Sequence, residues 1–143
     1  MKSHIQQLAE AKRILVRARS ILSKPERWTK EVFTRDRYNP ITDEREYAYC
    51  SLGAISAAQG NYLSGRRGTL YQDPKDALPD VDRDDPFVAE LTKRYLRSHI
   101  PVRDIPLWND RQSTTHAMVL TAFDKAIESA GQDLSFAAKQ EKS

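Results

Sequence analysis

Asp43-Glu44-Arg45-Glu46-Tyr47-Ala48-Tyr49-Cys50-Ser51-Leu52-Gly53-Ala54-Ile55-Ser56-Ala57-Ala58-Gln59-Gly60 is the stretch whose reading decides the fold. Taken as one element it is a helix that starts near Asp43 or Glu44, after the turn signal Tyr38-Asn39-Pro40, and stops at Gly60-Asn61. Gly53, Ala54, Ala57 and Ala58 give this helix a smooth face on which a second backbone can approach closely. A glycine inside a helix costs about 1 kcal/mol relative to alanine, so packing of that face against another helix is expected to offset it. Cys50 falls three residues before Gly53.

On the N-terminal side, Ile5, Leu8, Ala11, Leu15, Ala18 and Leu22 recur at spacings of three and four from about His4 to Ser23, which predicts an amphipathic helix stopped by Pro25. Trp28-Thr29-Lys30 then leads a short segment that folds back, with Trp28 as a core anchor. On the C-terminal side, residues 61 to 84 read as an irregular connection, with Arg66-Arg67 between Gly65 and Gly68 at its tip and Leu70 and Tyr71 as anchors. Asp85-Pro86 opens a third helix as cap and first residue. Pro101 to Pro106 form an extended passage into Trp108-Asn109-Asp110, and Ser113 or Thr114 caps a last long helix that ends at Ala130-Gly131. Residues 132–143 read as a polar tail, tethered at most by Leu134 and Phe136.

The expected architecture is therefore mainly α: a single helical domain over 1–131 with about four helices, a long irregular insert at 60–85 and room for a short strand pair. A chain of 143 residues can bury roughly two thirds of its unfolded surface without staples. The one cysteine has no intramolecular partner, which suggests a reducing compartment, read as cytoplasmic. Neither a secretory leader nor a membrane span is legible.

Charge is nearly balanced at +3 but unevenly placed. Residues 1–40 carry ten basic and four acidic side chains, whereas residues 73–85 carry six aspartates against Lys75 and Arg83. These two regions can complement one another in the fold. A nucleic-acid surface would draw on Arg13, Arg17, Lys24, Arg27 and Lys30 with Arg66-Arg67, and on Trp28, Tyr38 or Tyr62 for stacking. No helix-turn-helix spacing, zinc module or aromatic strand motif supports it.

Two constellations could carry chemistry. Cys50, His116 and either Asn109 or Asp110 supply the residue types of an activated thiol, its base and the base's orienter. His116 would fall in the first turn of its helix, where the dipole opposes imidazolium formation. Asp80-Val81-Asp82-Arg83-Asp84 copies the start of a calcium loop, but Asp85 stands where glycine is needed and Leu91 where the bidentate glutamate is needed. His4 and His99 add no ligand spacing, so no metal and no cofactor is expected. The plain reading of Trp108-Asn109-Asp110 is a buried ring followed by side chains that tie down local backbone.

Taken in order, Trp28-Thr29-Lys30, Cys50-Ser51-Leu52-Gly53-Ala54, Trp108-Asn109-Asp110 and Thr115-His116 before Val119, Leu120 and Ala126-Ile127 resemble a family of small uncharacterised domains of bacteria and their phages. The resemblance spans about residues 5 to 130. It implies a single domain, a Trp-containing turn, a C-x-x-G-A helix and a W-N-D segment before the last helix, with 60–85 as the variable insert. It implies a phage or prophage origin, and it assigns no activity or catalytic residue. The expected function is a noncatalytic interaction or regulatory role, binding a protein partner through the 60–85 loop and a basic surface that includes Arg66, Arg67, Tyr71, Arg13 and Arg17. The alternatives are a cysteine-dependent hydrolase or transferase and a weak nucleic-acid binder, without membrane association.

Overall fold

The computed structural model describes residues 2–60, 62–64, 69–71 and 75–142, with no side-chain description at 37, 62–64 and 69–71. α1 (His4–Ile21) opens with a capping box in which the Ser3 hydroxyl accepts from Gln6 N and the Gln6 side chain accepts from Ser3 N. Its stripe of Leu8, Ala11, Ile14, Leu15, Ala18 and Ile21 is buried. After a single 3-10 turn at Pro25–Arg27, the chain runs into β1 (Thr34–Asn39).

The helix expected from Asp43 or Glu44 does not form there. Glu44–Tyr49 is instead β2, antiparallel to β1 with Thr34 opposite Tyr49 and Asn39 opposite Glu44. Tyr47 and Tyr49 suit a strand, and the pairing satisfies backbone groups that a helix end would leave open. Thr29 N donates to Tyr49 O at 3.0 Å and Cys50 N to Phe33 O at 3.1 Å, which holds the backbone extended through Cys50. Only then does α2 (Ser51–Gln59) begin, and it ends on Gly60 at φ 96, a left-handed stop available cheaply to glycine.

Gly53 allows a close approach, but the neighbour is not a helix. A Cβ at Gly53 would lie 2.0 Å from the Phe33 carbonyl oxygen, so the strand-leading segment occupies the space. Ala54, Ala57 and Ala58 are buried in the core with α1 residues.

The stretch expected to be irregular contains a second hairpin, β3 (Tyr62–Ser64) antiparallel to β4 (Thr69–Tyr71), with Tyr62 opposite Tyr71. Arg66 and Arg67 lie outside the described residues. From residue 75 onward the segment is fastened to α2. Leu78 N donates to Ala58 O, and Gln59 Nε2 donates to the carbonyls of Asp82 and Asp85.

α3 (Pro86–Arg97) is capped by Asp85, whose carboxylate accepts from Phe87 N and Val88 N. The passage expected to be extended up to Trp108 turns helical at α4 (Ile105–Asp110), because Asp104 caps Leu107 N and Pro106 is tolerated in a first turn. α5 (His116–Glu141) is capped by Thr115 rather than Ser113 or Thr114, and Thr114 instead donates its hydroxyl to Trp108 O at 2.6 Å. α5 also runs ten residues past Gly131, so the expected tail is helical through Glu141. Leu134 and Ala137 pack against the core, and the Tyr95 hydroxyl donates to Asp133 at 2.7 Å. Among the described residues the result is a mainly helical single domain of five α-helices, with α1 packed against α2, α3 and α5.

Candidate functional site

Asn109 is fully buried in α4. Its side-chain oxygen accepts from Trp28 Nε1 at 2.7 Å, Ser51 N at 2.9 Å and Ser51 Oγ at 2.6 Å. Its amide donates to Thr29 O at 3.0 Å and to Asp110 Oδ1 at 3.1 Å. The same Asp110 oxygen accepts from Glu31 N at 2.8 Å, and Glu31 sits at φ 72, a left-handed conformation uncommon for a residue with a Cβ. Lys30 Nζ donates to Arg111 O at 2.6 Å and lies 5.3 Å from the centre of the Trp28 ring. One carboxamide thus clasps the Trp28 turn, the start of α2 and α4. A buried amide with both ends engaged holds three segments in register.

Cys50 and His116 border this clasp, each with its own partner. Cys50 is 2% exposed, and its sulfur accepts from Gly53 N at 3.3 Å as the cap of α2. Burial pushes the thiol up to about 11, only partly opposed by that backbone hydrogen bond. It is therefore protonated at neutral pH and a poor nucleophile. His116, the first residue of α5, places Nε2 2.6 Å from Leu22 O, and a carbonyl can only accept, so Nε2 carries the proton. The imidazole also lies 5.9 Å from the Trp28 ring, centre to centre. No hydrogen bond joins Cys50 to His116 among the described residues.

The charge asymmetry resolves into contacts. Arg13 Nη2 meets Asp80 Oδ1 at 2.5 Å, and the Arg13 guanidinium holds the Asp80 carboxyl below its ordinary range. Arg17 donates to the carbonyls of Asp76 at 3.1 Å and Lys75 at 2.6 Å. Lys2 pairs with Asp85 at 2.8 Å and Glu10 at 2.7 Å. Asp82 accepts from Asp84 N, so Asp82 serves a turn, Asp80 an ion pair and the neighbouring Asp85 a helix cap. Among the described residues no group of three or more potential ligands gathers to hold a metal, and no helix is long and apolar enough to cross a membrane.

Asp76 carries a role that sequence reading missed. It is 4% exposed, accepts from Tyr49 OH at 2.6 Å and pairs with Arg27 Nη2 at 2.8 Å. Arg27 also donates to Tyr47 O and lies 5.9 Å from the Tyr49 ring centre. Nothing in the local sequence separates Asp76 from the five other aspartates of 73–85. Beside this segment, Leu78, Leu134 of α5 and Ala9 and Val16 of α1 line a groove of about 490 Å³. Lys12, Arg13 and Arg17 form its cationic rim.

These features define a mainly helical domain whose Trp turn, second helix and W-N-D helix are clasped by one buried carboxamide. The chain belongs to the family described as a family of unknown function (DUF6197), whose profile matches residues 7–129 and so includes the clasp, the 60–85 stretch and most of the groove. No curated protein and no solved structure matches it.

Proposed function

We propose that this is a noncatalytic interaction protein that binds a partner protein through the 60–85 stretch and the adjoining basic surface of α1. Arg66, Arg67, Tyr71, Arg13 and Arg17 are its contact residues. Host-directed binding by a phage-encoded copy is the particular form of this reading. The observation that supports it is the seating of residues 75–80 on Arg13 and Arg17, which makes those residues and the basic face one continuous surface beside an apolar groove. Lys12, at the rim, has no hydrogen bond or ion pair among the described residues, so charge remains for an acidic, partly apolar partner segment.

Affinity capture from a host lysate, repeated with purified partner, tests it. The same partner should be lost when Arg66 and Arg67 are changed to serine and when 65–72 is replaced by a Gly-Ser linker, and kept by Cys50→Ser. A partner indifferent to both loop changes overturns the assignment. Loss confined to Cys50→Ser favours thiol chemistry instead.

A further inference from the structure

Trp108 is 2% exposed, yet its indole N–H has no hydrogen-bond partner among the described residues. This contrasts with Trp28, whose indole donates to Asn109. A buried indole normally finds an acceptor. The Trp108 nitrogen is not sealed from solvent. The donor therefore touches accessible space, and Trp108 borders a pocket of about 300 Å³ between the end of α3, α4 and the first turns of α5.

One cation and two neutral polar side chains join the indole in lining the pocket. Lys125, without an ion pair among the described residues, brings a cation, and Thr121 brings a hydroxyl. His99 lines the same space, with Nε2 2.8 Å from Ser129 Oγ. No aspartate or glutamate lines the pocket, and Pro101 and Met118 supply apolar wall. Donors, one cation and apolar surface in a cavity at the small end of ligand sites complement a small organic anion.

We propose that this pocket binds a small organic carboxylate, the carboxylate meeting the Trp108 indole N–H and Lys125, and an apolar body lying against Pro101 and Met118. The site is separate from the α1 groove, so it stands or falls independently of the partner-binding reading. Titration of the 15N-labelled chain with hexanoate and benzoate tests it, with Trp108→Phe used to assign the two indole cross-peaks. The Trp108 signal should move saturably while the Trp28 signal stays. Lys125→Met, at an exposed position that leaves the fold intact, should weaken binding about tenfold or more. Hexanamide and benzamide should leave the signal in place. An unmoved Trp108 signal at tens of millimolar carboxylate overturns the proposal. So does equal movement with the amides or with inorganic phosphate, or unchanged affinity in Lys125→Met.

Discussion

At the scale of single residues, Asn109 and Cys50 show how position decides chemistry. Asn109→Ala removes the acceptor of three hydrogen bonds and leaves Trp28 Nε1 and Ser51 N without it in a buried place. Urea unfolding should register a loss of about 3 kcal/mol or more, several times the loss for an exposed site such as Lys139→Ala. A loss within about 0.5 kcal/mol would mean that the clasp contributes little. For Cys50, the folded thiol titrates near 11 against 9.0 for its ordinary value, so above pH 9 the unfolded chain releases the proton first. Stability should then fall as pH rises from 9 towards 11, by about 3 kcal/mol in total, with no effect of this group below pH 8. Denaturation of wild type and Cys50→Ala in parallel isolates that slope from other titrations. The residue types of the clasp were legible in the sequence. Their meeting was not, because Asn109 reaches Ser51 and Trp28 across separations of 58 and 81 residues, and no local period encodes that.

At the scale of elements, hydrophobic periodicity served where one face is buried and failed where none is. α1 and α3 were readable, since Leu8, Ala11, Leu15 and Ala18, or Val88 and Leu96, alternate with solvated positions. The first hairpin was not, because Glu44, Arg45 and Glu46 are exposed and only Tyr47–Tyr49 enter the core, so the strand has no alternation to display. Glycine was read correctly at Gly60 and as a stop at Gly131, where α5 in fact continues. These environments make opposite predictions. Gly53→Ala should destabilise by at least about 2 kcal/mol in thermal or urea unfolding despite alanine's helix preference, since the new Cβ meets a backbone oxygen at 2.0 Å. Gly131→Ala should stabilise by about 0.5–1 kcal/mol, because its Cβ meets the flexible end of Lys12 at ordinary contact distance. The same sign for both would contradict the packing assigned to Gly53.

At the scale of the whole molecule, the acidic segment is part of the body of the fold. Arg27, Asp76 and Tyr49 tie the 3-10 turn, residues 75–85 and β2 together away from water. Asp76→Asn removes the buried carboxylate and leaves Arg27 only the exposed Glu46, 3.1 Å away, as its carboxylate partner, and should cost about 2 kcal/mol. It should also speed tryptic cleavage at Lys75 and Arg83, whereas Asp84→Asn should change neither; cleavage as slow as wild type would show the segment to be held by other contacts. A long-range joint is α1 against α5, with Arg19 bonded to Asp124 across 105 residues of sequence. During synthesis α1 must therefore wait for α5 before that face is covered. At about 5–20 residues per second the side of its apolar stripe that faces α5 stays uncovered on the nascent chain for roughly 5–20 seconds, whereas α2 and α3 can cover the rest sooner.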